Sequence, residues 1–311
     1  MRLSVLDIGT NTVLHLIADI DKAGSLTTVH QGHAMPRLGM GVDEHRTLSS
    51  ESMARVLSCL KDYVHQAREF QAERIIACGT SALRDASNRA EFIGMVKTEL
   101  GIDVSVLTGD EEAELTYIGA VSEFAADSVN QRFGVVDIGG GSTELTTGTG
   151  ITVESRQSFD IGSVRLTERV LKTSPPSPQA IDDCIRSIRS QLNLASLHSS
   201  TTLVGVAGTL TTLASIDLNL GVYDPLKVGG HRLTLSSIES VFHRLKVLTL
   251  EELRAAPQIL SGRADILLAG ILILMEVLKA AGATEIAVSD RGLRYGIAIR
   301  RGMAAIGGTP A

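Results

Sequence analysis

Residues 5–14 read VLDIGTNTVL and residues 135–145 read VVDIGGGSTEL. In both, an apolar run ends in Asp-Ile-Gly, small polar residues follow, and a second apolar run resumes. The acids that head the copies, Asp7 and Asp137, stand 130 positions apart. Each copy opens a stretch that reads as strands followed by alternating helices and strands. A period this long is too large for a solenoid repeat and fits two similar mixed α/β domains. The chain of 311 residues is long enough for both.

The rest of the chain follows that duplication. In the first half, strands are predicted at 3–8, 12–20 and 25–31, with a tight Gly-Thr-Asn turn joining the first two. A helix follows over 50–70, with Met53, Val56, Leu57, Leu60 and Val64 on one face and Ser49 or Ser50 as cap. Next come a strand at 73–79, a helix over 88–100 that stops at Gly101, a strand at 103–108 and a helix over 110–125. The second half begins again with strands at 133–139, 142–148 and 151–157. Helices are predicted near 164–171 and from Gln179, the latter capped by Ser177 with Pro178 at its first position. A strand at 201–206, a helix from 209, a strand at 284–290 and a final helix over 293–303 complete the reading. The boundary is placed in AADSVNQRF, giving domains 1–125 and 126–311. Two lobes of this kind would enclose an interdomain cleft, a common ligand site.

Composition excludes several classes. The net charge of −6 argues against a nucleic-acid coat, although a local pocket can still attract an anion. The three cysteines are dispersed and form no CxxC, so they read as small buried hydrophobes. No signal peptide is read at the start. The most apolar stretch, residues 266–275, is too short to span a bilayer and reads as a buried helix. A cytoplasmic protein, bound to neither membrane nor nucleic acid, is expected.

Glycine lets a ligand approach the backbone closely, and successive glycines can aim several N–H groups at one anion. Gly139, Gly140 and Gly141, with the hydroxyl of Ser142, form such a candidate phosphate loop; Gly9, Thr10 and Asn11 form the second. A plain hairpin turn is the alternative for either. A carboxylate beside a phosphate is repelled unless a cation lies between them. Asp7, Asp137 and Glu144 are therefore candidate ligands for Mg²⁺, a hard ion held by one or two carboxylates plus phosphate oxygens and water. Turn capping or pairing with a basic residue is the other reading of these acids. The sequence around these turns contains no GxxxxGK[ST], so the pattern is not a P-loop.

With GTSALRDASN (79–88), LTGDEEAELTYIG (107–119), GVAGTLTTLA (205–214), SGRADILLAG (261–270) and VSDRGLRYG (288–296) added in that order, the chain resembles the exopolyphosphatase / guanosine pentaphosphate phosphohydrolase family over essentially its whole length. That resemblance implies an α/β fold of two duplicated actin-like (ribonuclease H-like) domains. It implies hydrolysis of a terminal phosphoanhydride, with inorganic polyphosphate or guanosine pentaphosphate as substrate, Mg²⁺ or another divalent cation as cofactor, stimulation by a monovalent cation, and a homodimer. By position, Glu112 matches the family's base, Arg84 its phosphate-facing arginine, Gly9–Asn11 and Gly139–Ser142 its phosphate loops, and Asp137 and Glu144 its metal-associated acids. Gly208 and Thr209 match the nucleotide loop of the wider superfamily, and Arg263 an arginine after the SGR turn. Longer members carry a further helical domain with a His-Asp pair. None of the eight histidines here precedes an aspartate, so the chain resembles the short, two-domain form.

In the implied mechanism Glu112 deprotonates water for in-line attack, while its neighbour Glu111 points about 100° away on the same helix. Arg84 and Mg²⁺ neutralise the developing charge; an ion pair with Asp85 is the bland reading of Arg84. Arg165, Lys227, Arg263 and Arg294 are candidate contacts for the remaining phosphates, and His231 reads as structural. Two rivals share the loops. An ATP-dependent phosphotransferase of the sugar- or acetate-kinase kind would label an acceptor. A non-catalytic actin-like nucleotide-binding protein would bind without turnover.

Overall fold

The computed structural model describes residues 1–22, 24–124, 130–192, 201–305 and 307. The chain divides into two compact units, Met1–Gly119 with Leu293–Ala311, and Ala120–Gly292. The boundary read between 125 and 126 lies outside the described residues.

The first unit opens with β1 (Arg2–Ile8), β2 (Val13–Ile20) and β3 (Leu26–Ala34), an antiparallel meander. Then come α1 (Val42–His45), α2 (Ser50–Glu69), β4 (Arg74–Gly79), α3 (Ser81–Asp85), α4 (Arg89–Leu100), β5 (Val104–Val106) and α5 (Gly109–Val121). The sheet order is β3-β2-β1-β4-β5, with β4 parallel to both β1 and β5. Helix α2 starts where the Ser49 hydroxyl accepts the Ser52 N–H, and it buries Met53, Val56, Leu57, Leu60 and Val64. That stripe joins Leu6, Ile8, Leu83, Phe92 and Val96 in one core. Helix α4 ends at Gly101, whose positive φ returns its N–H to Lys97.

The second unit repeats the plan: β6 (Arg132–Ile138), β7 (Thr143–Thr149), β8 (Thr152–Phe159), α6 (Ser163–Arg169), α7 (Pro178–Gln191), β9 (Thr202–Val206) and α8 (Ala207–Asp217). It continues with α9 (Pro225–Val228), β10 (Arg232–Thr234), α10 (Leu235–Leu245), α11 (Leu250–Ala255), α12 (Leu267–Ala281) and β11 (Glu285–Val288). Read from β8, the sheet runs β8-β7-β6-β9-β11-β10. Its first five positions reproduce the first sheet, with β9 parallel to β6 and β11. Both meanders carry a register shift between the second and third strands, at Ile17/Ala18 and at Thr147/Gly148. Helix α7 starts as expected, with Ser177 accepting from Ala180 and Pro178 in the first turn. The apolar run near 266–275 is α12, buried continuously from Leu267 to Leu278 among α6, α7 and α10. No described helix is long and apolar enough to cross a membrane.

The last helix, α13 (Leu293–Ala305), follows the final strand of the second unit but packs on β1 and β2 of the first. Leu293, Tyr295, Ile297 and Ala298 share a core with Leu3, Val5, Leu16, Ala18 and Ile20. The two faces of β1 thus go to different partners, Leu6 and Ile8 to the α2 core and Leu3 and Val5 to α13.

Candidate active site

In each unit the candidate residues gather at one edge of the sheet, beyond the carboxyl ends of its parallel strands, the edge where open α/β sheets bind ligands. In the first unit, Gly9–Asn11 follow β1, Thr80–Arg84 follow β4 and Thr108–Glu112 follow β5.

Two adjacent glutamates open α5, and the structure separates them. The Thr108 hydroxyl accepts the Glu111 N–H at 3.2 Å, and Glu111 Oε2 accepts the Thr108 N–H at 2.8 Å. This is a reciprocal capping box, and its hydrogen bonds from Thr108 hold the Glu111 carboxyl below the usual range. Glu112, one residue on, is buried and ion-paired to Arg84 Nη1, which also donates to the Leu107 carbonyl at 3.1 Å. Burial pushes the Glu112 carboxyl above its ordinary value, while the Arg84 charge and a hydrogen bond from Thr80 pull against it. A carboxyl whose burial raises its affinity for a proton is suited to accept one.

The first glycine turn is anchored from behind. Gly9 N–H bonds the Thr12 carbonyl, Arg37 N–H the Asn11 carbonyl and Gly39 N–H the Thr10 carbonyl, at 2.9, 3.1 and 2.8 Å. A trans peptide sets its N–H opposite its carbonyl. The Asn11 and Thr12 N–H groups therefore aim away from the 37–39 segment. Asp7, beside this turn on β1, is buried and lies in register with Leu14 and Cys78. Burial, with the Asp7 charge adding to it, raises the Cys78 thiol to about 12. Cys184 is likewise buried and raised, so both behave as inert core residues.

In the second unit the Gly139–Ser142 loop follows β6, and Gly208 and Thr209, expected in a loop, lie in the first turn of α8 directly after β9. Asp137 on β6 is directly opposite Glu144 on β7, which is opposite Ser158 on β8. Opposed residues share a sheet face, so two carboxylates lie side by side, an arrangement that is unfavourable without a compensating charge. Glu144 is almost wholly buried, and Ser158 donates to its Oε1 at 2.7 Å. Among the described residues no three His, Cys, Asp or Glu side chains converge as a metal cage. A carboxylate pair completed by phosphate and water is the donor set that Mg²⁺ accepts.

The glycine loop is backed by α6. Ser163 N–H bonds the Gly139 carbonyl at 2.9 Å, and Val164 N–H the Gly140 carbonyl at 2.8 Å. Gly162 passes so close that a Cβ there would overlap the Gly140 carbonyl. Arg165 is buried against the same loop, its Nε donating to the Gly141 carbonyl at 2.8 Å.

Arg263 plays a comparable part against the first turn of α8. It is buried, and its Nη1 donates to the Gly208 carbonyl at 2.9 Å and the Thr212 hydroxyl at 3.0 Å. Desolvation lowers its guanidinium to about 10. Ala207, the first residue of α8, has φ of +70°, a strained conformation for a side-chain-bearing residue. Thr209 is buried against Gly270. The other basic candidates have local partners: Lys227 lies 3.5 Å from Asp224, and Arg294, in the first unit, donates to Gln31 at 2.7 Å. His231 pairs with Asp217 at 2.8 Å.

Sequence reasoning passed over Thr80, Ser158 and Gly162. The first two act through tertiary register, which no local pattern encodes. The capping box at Thr108–Glu111 was legible as Thr-x-x-Glu and would have separated Glu111 from Glu112 without a structure.

The model of the Ppx/GppA phosphatase family matches residues 16–302. A Mycobacterium tuberculosis protein named Exopolyphosphatase 2 is 36% identical over 96% of this chain and 98% of its own. A Fusobacterium nucleatum bifunctional 3-dehydroquinate synthase/phosphatase is 32% identical over 92% of this chain and 44% of its own. The Aquifex aeolicus Ppx/GppA crystal structure aligns with a TM-score of 0.82 at 33% identity, covering 98% of both chains. An exopolyphosphatase structure from Cytophaga hutchinsonii aligns with a TM-score of 0.89 at 29% identity, covering 99% of both chains. The chain belongs to the Ppx/GppA phosphatase family.

Proposed function

We propose that this protein is an exopolyphosphatase, which hydrolyses the terminal phosphoanhydride bond of inorganic polyphosphate and releases orthophosphate. The observation that carries the reading is the ion pair of buried Glu112 with half-buried Arg84 at the ligand edge of the first sheet. The full-length likeness to Exopolyphosphatase 2 supports it.

Glu112 accepts the proton of the attacking water. Arg84 opposes the rise that burial imposes on that carboxyl and offers its charge to the phosphoryl oxygens. The N–H groups of the glycine turns at 9–11 and 139–142 bind phosphate oxygens. Asp137 and Glu144 would hold Mg²⁺, with Ser158 orienting Glu144. When bound, the ion supplies charge neutralisation at the phosphoryl group. Guanosine pentaphosphate ends in the same kind of anhydride and is a second substrate under this proposal, consistent with the family's name.

The test is phosphate release with Mg²⁺ from long polyphosphate, tripolyphosphate and guanosine pentaphosphate, side by side and without an acceptor. Release from polyphosphate is expected. Transfer from ATP to an acceptor with no such release would replace the hydrolase by a phosphotransferase.

A further inference from the structure

The loop at 139–142 owes its chemistry to where three N–H groups point, and glycine does not decide that. A peptide that follows a glycine can turn over through rotation of that glycine's ψ, compensated by φ of the next residue. What fixes each N–H is the partner of the carbonyl in the same peptide plane. The Gly139 carbonyl accepts from the Ser163 N–H, and the Gly140 carbonyl from the N–H groups of Val164 and Arg165, at 2.9, 2.8 and 3.1 Å. These are backbone donors at the start of α6, which otherwise lack an intrahelical partner. The Gly139 carbonyl also takes the Ser163 hydroxyl at 3.2 Å, while the Gly141 carbonyl accepts from the Arg165 Nε at 2.8 Å. That side chain is only 4% exposed, and its Nη2 lies 3.9 Å from Asp160 Oδ1.

We propose that Arg165 is a positioning residue that locks the Gly141–Ser142 peptide with its N–H turned away from α6, toward the bound phosphate. The inference rests on the reading of this loop as a phosphate site. It assigns Arg165 to the back of the loop, where its guanidinium selects one of two peptide orientations.

Removing the lock lets the peptide populate the orientation that presents a carbonyl to an anion. Apparent affinity falls by the fraction of loop left competent, while saturating substrate still selects the competent form. Arg165→Met is therefore expected to raise KM for polyphosphate at least tenfold with kcat within twofold. Arg165→Lys, which keeps a donor, should recover part of that loss. A purely architectural role would instead reduce the active fraction, lowering apparent kcat at constant KM. An unchanged KM in Arg165→Met overturns the proposal. If that variant does not fold, Arg165→Gln is read in the same way. A crystal structure of the folded variant supplies a second readout, independent of turnover. A Gly141 carbonyl swung away from α6 supports the lock, and one still directed at residue 165 overturns it. Absence of phosphate release by the parent enzyme would count against the exopolyphosphatase reading, and the crystallographic comparison would then decide the lock.

Discussion

At the scale of single residues, the structure turns a row of acids into distinct tasks. Glu111 closes a helix cap, Glu112 is buried against Arg84, and Asp137 faces Glu144 across a strand pair. Because burial raises Glu112 and Arg84 opposes that rise, removing the guanidinium should move the carboxyl further up. A base works only when ionised, so activity increases as pH passes upward through its pKa. In Arg84→Gln we expect the acidic limb of the kcat/KM profile to shift to higher pH, beyond any drop in its plateau; an unmoved limb would separate the two residues. Asp137→Asn should raise the Mg²⁺ concentration for half-maximal phosphate release about tenfold, equivalent to ~1.4 kcal/mol. Superimposable Mg²⁺ titrations would remove Asp137 from the metal site.

At the scale of elements, most strands and several long helices were legible from their apolar runs and the punctuation at their ends, whereas β10 received no assignment. Ser49, Gly101 and Ser177 act as the local rules require. The short helices α1, α3 and α9 were not legible, since four or five residues carry no usable period. Helices α10 and α11 carried readable signals, an Ile238, Val241, Phe242, Leu245 stripe and a Thr249–Glu252 capping box, yet lay in a segment without an assignment. The packing of α2 on the first meander has a consequence for stability. His15 on β2 is fully buried, bonded to Ser4 at 2.9 Å, with the Tyr63 ring 4.8 Å and the His30 ring 5.8 Å away. Desolvation lowers its folded pKa to about 4 from 6.5. The unfolded chain thus binds the proton more readily. This contribution is intact above pH 6.5 and is lost as pH falls from there to about 4, by about 3 kcal/mol. Denaturant titrations should show a steeper fall in this window for the parent than for His15→Gln; equal slopes would contradict it.

At the scale of the whole molecule, duplication was readable from two turns, and the five matching sheet positions bear it out. The placement of α13 was not readable, because nothing local says that a helix following β11 packs on β1 and β2. Its seat depends on Gly296, where a Cβ would fall on the Leu115 carbonyl of α5. Gly296→Ala must push two helices apart. It should cost about 3 kcal/mol or more and lower Tm on the order of 10 °C. A variant melting with the parent would show that this crossing can relax.

The central claim is that Glu112 directs water at a terminal phosphoanhydride, and one measurement reaches it. Polyphosphate is hydrolysed with Mg²⁺ in ¹⁸O-labelled water by the parent enzyme and by Glu112→Gln, whose fold is checked by its circular dichroism. We expect one labelled oxygen in each orthophosphate released by the parent, and release at least a hundredfold slower from the folded variant. Unlabelled orthophosphate, or a variant that keeps pace with the parent, would contradict the account.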